Sequence, residues 1–256
     1  MFENVMGLGG RTALVTGAGS GLAEAIAQVM ARAGAKVICA HDDLGDAERV
    51  AAAIRADGNE ARAIAMDPAK EESVLAAFAE LKAAGELADI VVLGAMMQGG
   101  VPAIEMSAAQ WDAMHNVNAR GSFLTAREGI RALVAAGQPG RIIALSTIGS
   151  EHPVLHGNVA YGSSKAALNQ MCRNLAFEHA ADGIRVNAIM PGAIPGNAPA
   201  MPGAVAGSGP GRNRDRHPCG FGNPEEIGWL AVYLAGPSAN YITGQTIVMD
   251  GGFQVA

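Results

Sequence analysis

The chain has 256 residues, of which 50% are hydrophobic and 4% aromatic, and its 24 acidic and 18 basic residues give a net charge of −6. This length is sufficient for one large α/β domain with a substantial core. The negative charge argues against a nucleic-acid partner, because nucleic-acid binding needs a basic face.

Targeting and metal-binding signals are absent from the pattern of residues. The first residues lack the charged segment and long apolar stretch of an export signal. The longest uncharged stretch, residues 186–211, is interrupted by Pro and Gly and is not predicted to cross a membrane. Cys39, Cys172 and Cys219 have no metal-ligand or redox spacing, so we predict no metal site. We expect a cytoplasmic location.

Short apolar runs alternate with longer Ala-rich segments along the chain. The runs predict strands at Thr12–Thr16, Lys36–Ala40, Ala61–Met66, Ile90–Leu93, Arg141–Ser146, Arg185–Ile189 and Thr246–Met249. The segments between them predict helices over Leu22–Ala33, Gly45–Ala56, Lys70–Ala83, Ala108–Ala135, Ala160–Ala181 and Pro224–Ala235. This alternation predicts βαβ units and an α/β fold, with a doubly wound parallel sheet and helices on both faces.

One segment departs from this alternation. Residues from about 195 to 222 are rich in Gly, Pro and Ala and contain Arg212, Arg214 and Arg216. A loop of this length is usually functional or disordered, and this one follows a late strand. We therefore expect a flexible substrate lid over the carboxyl edge of the sheet, where ligands bind in such folds. The alternative is a solvated surface excursion.

A glycine-rich turn, TGAGSGLA at residues 16–23, follows the first predicted strand. Glycines at such a turn let the backbone approach a pyrophosphate, and the next helix N-terminus supplies free N–H groups and a favourable dipole. The spacing is G-x-x-x-G-x-A rather than G-x-G-x-x-G, because Leu22 occupies the position of the third glycine. The predicted phosphate contacts are Gly17, Gly19, Ser20, Gly21 and Leu22.

An acidic pair follows the second predicted strand, which ends at Ala40 and leaves His41 as the first residue after it. The Asp42 carboxylate can accept hydrogen bonds from the adenosine ribose and would repel a 2′-phosphate. No Arg or Lys lies in the glycine-rich turn or directly after this strand, so NAD is predicted rather than NADP. The alternative for Asp42 and Asp43 is a charge pair stabilised by a helix N-terminus.

Tyr161 and Lys165 lie four residues apart near the start of a predicted helix. This spacing places both side chains on one helix face. A cation beside a phenol lowers the pKa of the phenol from about 10, so that it can exchange a proton with an alcohol or carbonyl near neutral pH. This spacing alone is weak evidence for a catalytic site. The hydroxyls of Ser146 and Thr147 at the end of the preceding strand strengthen it.

An ordered set of motifs over nearly the whole chain resembles the short-chain dehydrogenase/reductase family. The set comprises TGAGSGLA at 16–23, Asp67, VNARG with Asn118, Ser146-Thr147, YGSSK at 161–165, IRVNAIMPGAI at 184–194, and GNPEEI and YITGQTIVMDGG within 222–252. The resemblance implies a single Rossmann-type oxidoreductase domain over residues 1–256, acting on a small-molecule substrate and commonly assembled as a homotetramer.

The resemblance also implies a role for each site residue. Tyr161 is the general acid/base, and Lys165 lowers its pKa and holds the nicotinamide ribose. Thr147, or alternatively Ser146, polarises the substrate oxygen, and Asn118 positions a water in a proton relay. The further cofactor contacts are Asp67, Pro68, Gly94, Pro191, Gly192 and Ile194.

Two departures from the family pattern concern the site. The family's N-N-A-G after the fourth strand is LGAM at residues 93–96 here. Each lost asparagine hydrogen bond would cost about 1 kcal/mol unless other groups replace it. The predicted catalytic hydroxyl is one residue farther from Tyr161 than in the family pattern. We expect the additional residue to lie in the loop at residues 149–159.

The predicted function is an NAD(H)-dependent alcohol dehydrogenase or ketone reductase acting on a secondary alcohol or ketone. Met96, Met97 and the predicted lid residues Ala198, Met201 and Val205 favour an apolar substrate, steroid-like, cyclic or acyl-chain. The alternative is an NAD(H)-binding sensor or scaffold that has lost turnover, which the missing N-N-A-G motif supports. Retention of the tyrosine, lysine and asparagine argues against it.

Overall fold

A computed structural model describes residues 6–195, 200–201, 203–204 and 207–256. The strands within these residues are β1 (Thr12–Thr16), β2 (Lys36–His41), β3 (Ala61–Ala65), β4 (Ile90–Leu93), β5 (Arg141–Leu145), β6 (Arg185–Pro191) and β7 (Thr246–Met249). The α-helices are α1 (Gly21–Arg32), α2 (Leu44–Ala56), α3 (Glu71–Ala83), α4 (Ala108–His115), α5 (Ser122–Ala136), α6 (Val159–His179) and α7 (Pro224–Ala235). The predicted lid residues Ala198 and Val205 lie outside the described residues.

The strands form one parallel sheet in the order β3-β2-β1-β4-β5-β6-β7. Ala13 of β1 pairs with Val37 of β2 on one side and with Ile90 of β4 on the other. The strand order reverses between β1 and β4, and ligands bind outside the carboxyl ends of the strands at such a reversal. The predicted doubly wound parallel sheet is confirmed.

The core lies on both faces of the sheet, because successive strand residues point to opposite faces. Ala13 and Val15 of β1 belong to a buried cluster with residues of α1, α2 and α7. Leu14 belongs to a second cluster with residues of α3, α5 and α6. Strands buried on both faces must be apolar throughout, which explains the unbroken apolar runs. Burial of a side chain such as Leu14 contributes about 1.5–3 kcal/mol.

Except for the helix predicted over Ala108–Ala135, the ends of the predicted elements agree with those observed to within two residues. The helix predicted over Ala108–Ala135 contains a π-helical segment at Asn116–Gly121, between α4 and α5. Such segments occur frequently at functional sites. The strand β2 extends to His41, which pairs with Ala65, so the prediction that His41 follows the strand is wrong. In the described part of the chain, no helix has the length and apolarity to cross a membrane.

Candidate active site

A cleft of about 590 Å³ opens at the carboxyl edge of the sheet, within the usual range for small-molecule sites. The predicted site residues that line it are Gly17, Ser20, Gly21, Leu22, Asp42, Asp67, Pro68, Gly94, Ser146, Thr147, Tyr161, Pro191, Gly192 and Ile194. Gly19, Asn118 and Lys165 are the predicted residues that do not line it. The structure therefore brings residues from across the sequence into one cleft.

The glycine-rich turn has the form that a pyrophosphate needs. Gly17 has φ +71°, and a Cβ there would lie 2.7 Å from Ala95 Cα. A Cβ at Gly19 would lie 2.7 Å from the His41 ring. The N-terminus of α1 has no side-chain cap, since Ser20 makes no capping hydrogen bond. The turn thus leaves a helix N-terminus available to an anion and fits a dinucleotide.

The hydroxyl of Thr16 ties the end of β4 to the glycine-rich turn. Its Oγ1 accepts hydrogen bonds from the backbone N–H groups of Gly94 (3.1 Å) and Ala95 (3.2 Å), and it donates to the carbonyl of Val92 (3.1 Å). A Cβ at Gly94 would lie 2.6 Å from the Thr16 carbonyl, so a side chain is excluded there. β4 is therefore joined to the phosphate turn without an asparagine at residues 93–96.

The two acidic residues after β2 have different surroundings. Asp43 caps α2, because its carboxylate accepts from the N–H groups of Gly45 (2.7 Å) and Asp46 (3.3 Å). Asp42 is exposed and lines the cleft, and its Oδ1 lies 3.0 Å from His41 Nδ1, which accepts a hydrogen bond from the Asp43 N–H. Asp43 therefore lies at a helix N-terminus, as in the alternative prediction for the acidic pair. Asp42 lies where a ligand in the cleft can contact it.

Arg49 on α2 approaches the glycine-rich turn, although no local sequence signal indicated it. Its guanidinium donates to the carbonyl of Gly19 (2.7 Å) and to both carboxylate oxygens of Glu24 (2.9 Å each). Arg49 does not line the cleft. A second cation nearby, Lys70, pairs with Asp67 at 2.9 Å. Both cations are therefore held by carboxylates of the chain.

Tyr161 is buried near the start of α6, and its hydroxyl lies 3.8 Å from Met96 Sδ. Burial raises the pKa of Tyr161 to about 12, and a hydrogen bond with the Thr147 side chain opposes this rise. Ser146 Oγ lies instead 3.5 Å from Ser150 Oγ. The effect of Thr147 on the Tyr161 pKa favours Thr147, and the choice between Thr147 and Ser146 as the catalytic hydroxyl stays a prediction.

Lys165 lies beneath the cleft and is fully buried. Its Nζ donates to the carbonyl of Leu145 at 2.7 Å. Burial lowers the pKa of Lys165 to about 7. In this arrangement burial has the largest effect on the pKa of Tyr161. The lowering of that pKa by Lys165 stays a prediction.

Asn118 lies in the π-helical segment and is fully buried. Its Oδ1 accepts from Met97 N and its Nδ2 donates to Met97 O, both at 2.8 Å. Its Nδ2 also lies 3.0 Å from Ser164 Oγ. The side chain thus connects the segment after β4 to α6, next to Tyr161, and the water relay stays a prediction.

The cleft is also lined by Gln98 and Asn158, which the sequence did not single out, and by Arg212 of the predicted lid. Met201, also in the predicted lid, is buried in a cluster with Met97 and Tyr161 and does not line the cleft. Long loops separate these positions, and only the fold brings them together. Across residues 6–195, 200–201, 203–204 and 207–256, no group of three or more His, Cys, Asp or Glu side chains is arranged to hold a metal.

Comparisons with known proteins agree with this architecture. A family model described as Enoyl-(Acyl carrier protein) reductase matches residues 17–254. The chain is 34% identical to 3beta-hydroxysteroid dehydrogenase 1 of Eggerthella lenta over 96% of this chain and 94% of the relative. It is 32% identical to Glucose 1-dehydrogenase 2 of Bacillus subtilis over 96% and 95% of the two chains.

A solved structure shows the same fold. The crystal structure of a gluconate 5-dehydrogenase from Burkholderia cenocepacia J2315, in complex with NADP and tartrate, has a TM-score of 0.89 and 27% identity. The match covers 100% of both chains. The chain belongs to the short-chain dehydrogenase/reductase family of NAD(P)-dependent oxidoreductases. The family predicted from the motifs is confirmed.

Proposed function

We infer that this protein transfers a hydride between NAD(H) and the carbon of a secondary alcohol or ketone. The observation that carries this proposal is that the Tyr161 phenol and the Thr147 hydroxyl line the same cleft as the glycine-rich turn. The nicotinamide cofactor, when bound, supplies or accepts the hydride. Tyr161 Oη gives a proton to the substrate oxygen during reduction and takes it back during oxidation. Thr147 orients that oxygen by hydrogen bonding.

The cofactor-holding roles follow from the positions of the lining residues. Residues 17–22 hold the pyrophosphate at the start of α1. Asp42 accepts hydrogen bonds from the adenosine ribose, while Asp67 and Pro68 contact the adenine. Residues 191–194, with Gly94, line the nicotinamide side, and Lys165 reaches the ribose there. Support for these roles is that the lining residues come from the ends of consecutive strands.

NAD is the proposed cofactor in preference to NADP. Asp42 lines the cleft, and a carboxylate there repels a 2′-phosphate. Arg49, which donates to the Gly19 carbonyl in the turn, is engaged by Glu24. The B. cenocepacia structure contains NADP, so the family includes users of the other cofactor. A direct measurement is therefore needed on this chain.

Titration of the protein with NADH and with NADPH tests the cofactor assignment. We expect NADH to bind about 10-fold more tightly or better, and Asp42→Asn to reduce the preference. Asp43→Asn is the matched control, since Asn is an equally good helix cap and the hydrogen bonds described for the Asp43 carboxylate are the two capping ones. Tighter binding of NADPH by the wild-type protein would contradict the assignment.

An apolar substrate body is the second part of the proposal. Met97 and Met201 pack beside Tyr161, and Val154 and Leu155 line the same cleft. Cyclic, steroid-like or acyl-chain ketones are therefore the substrates to screen, with NADH oxidation as the readout. If the protein binds NADH but reduces no ketone of a broad panel, the sensor or scaffold alternative replaces the proposed activity.

We further propose one catalytic domain over residues 1–256, with residues 195–222 as its lid, assembled as a homotetramer in the cytoplasm. Exposed apolar side chains on α5 and α6, such as Phe123, Val134 and Phe177, support an assembly through these helices. Light scattering coupled to size exclusion tests it. A mass four times that of the chain is expected, and a monomer would contradict the proposal.

A further inference from the structure

Three polar side chains in the wall of the cleft have no role in the cofactor or catalytic assignments above. Gln98, Asn158 and Arg212 line the cleft together with Thr147 and Tyr161. None of the three makes a side-chain hydrogen bond or ion pair with another residue that the structure describes. Gln98 and Asn158 are half-buried, and Arg212 is exposed. Polar groups at a concave surface that are not satisfied internally are available to a ligand.

This group lies on the side of the sheet opposite to the adenosine end. Asp42 follows β2 and Asp67 follows β3, whereas Thr147 follows β5 and Arg212 lies in the segment after β6. In the strand order, three steps separate β2 from β5, or about 14 Å at the usual strand spacing. Arg212 is therefore at the substrate side of the cleft, far from Asp42 and Asp67, to which we assign the adenosine end of the cofactor.

The backbone that carries Arg212 is fixed against the loop beside the catalytic hydroxyl. Residues Pro210–Arg212 form a 3₁₀ turn, in which Gly211 N donates to Val154 O at 2.9 Å. The Gly211 carbonyl lies 3.2 Å from Nε2 of His217, a buried histidine. A Cβ at Gly209 would lie 2.6 Å from Val154 O, so the two segments pack closely. The turn is thus positioned before a ligand arrives.

The neighbouring arginines are engaged elsewhere. The guanidinium of Arg214 lies over the ring of Phe221 at 5.7 Å. That of Arg216 lies over Phe253 at 5.3 Å and donates to the carbonyl of Ala256. Among the described residues lining the cleft, Arg212 is the only Lys or Arg. Its single positive charge is complementary to one negative charge, and a guanidinium matches a carboxylate in a bidentate geometry.

We propose that Arg212, with Gln98 and Asn158, binds a carboxylate of the substrate. The substrate is then a secondary alcohol or ketone with an apolar body and a carboxylate at the end remote from the reacting carbon. Val154 and Leu155, which also line the cleft, contact the body between the two ends. A carboxylate is favoured over a phosphate because one cation and two neutral amides do not balance a dianion. This inference rests on the proposed function, which places the reacting oxygen at Tyr161.

The test compares two probes of the same shape, 4-oxocyclohexanecarboxylate and its neutral carboxamide, in NADH-dependent reduction. A charge-assisted pair should make KM for the acid about 10- to 100-fold lower than KM for the amide in the wild-type protein. Arg212→Gln should remove this difference by raising KM for the acid, with kcat changed less than about 3-fold. Arg212→Lys should restore part of it. Arg214→Gln, in the same segment but outside the cleft, should behave as the wild type.

A binding measurement separates failure of the inference from failure of the proposed activity. Cyclohexanecarboxylate is titrated into the NADH-loaded protein by calorimetry, with cyclohexanecarboxamide as the control. Binding of the acid that requires Arg212 supports the carboxylate site even if neither ketone is reduced, and in that case the proposed activity fails. Reduction of both ketones with equal KM overturns the inference and leaves the activity intact. Absence of both reduction and acid binding overturns both.

Discussion

The hydroxyl of Thr16 gives the sharpest stability prediction. Thr16→Val preserves the shape of the side chain but leaves the N–H groups of Gly94 and Ala95 without their acceptor. Thr16 is buried, and each unsatisfied buried donor costs about 1–3 kcal/mol. We expect a loss of about 2–3 kcal/mol in the free energy of unfolding. In a chain of this size that corresponds to a decrease in Tm on the order of 5–10 °C.

Urea unfolding and calorimetry of the cofactor-free protein measure this loss. Thr16→Ser is the matched control, because it keeps the hydroxyl and removes one methyl group, which should cost only about 1 kcal/mol. NADH affinity should fall in Thr16→Val as well, since Gly94 and Ala95 adjoin the phosphate turn. If Thr16→Val is as stable as the wild type, or if Thr16→Ser is the less stable variant, the Thr16 hydroxyl does not stabilise the junction between β4 and the phosphate turn.

Two further variants test the turn and the buried amine. Gly17→Ala should weaken NADH binding about 10-fold or more, because the added Cβ would collide with Ala95. Gly58 has a similar positive φ but open space around it, so Gly58→Ala should reduce stability without weakening NADH binding. Equal NADH affinities in these two variants would show that the close approach of Gly17 to Ala95 is not needed for NADH binding. Lys165 has a pKa lowered to about 7, so the cofactor-free wild type should gain on the order of 1.4 kcal/mol per pH unit between about pH 7 and 8.5, where the unfolded chain binds the extra proton and the raised pKa values of Cys39 and Cys172 do not yet oppose the gain. Lys165→Met should abolish this gain, and an unchanged slope of stability against pH would show that Lys165 is not titrating there.

The sheet was predictable because its signals are local. Strands buried on both faces must be apolar throughout, so β1 and β4 were located to the residue from composition alone. The phosphate turn was equally predictable, because positive φ at Gly17 and an open helix N-terminus require a glycine-rich sequence. The break at Asn116–Gly121 was not, because its sequence reads as ordinary helix.

The remaining site features depend on contacts between residues far apart in the chain. Arg49 reaches Gly19 only because α2 lies beside the turn, and Thr16 reaches Gly94 only because β1 and β4 are neighbours. Arg212 belongs to a predicted lid, but its place in the wall of the cleft follows from the backbone contact of Gly211 with Val154. No periodicity or motif carries such information, because it arises from tertiary packing.

In the proposed reaction, the Tyr161 phenol transfers the proton that accompanies hydride transfer. Steady-state reduction of a ketone by NADH is compared in the wild type and in Tyr161→Phe, with NADH affinity measured on both proteins. We expect kcat to decrease by about 10²–10⁴-fold while NADH affinity changes little, since only the hydroxyl is removed. A Tyr161→Phe protein that binds NADH and reduces the ketone at the wild-type rate would contradict it.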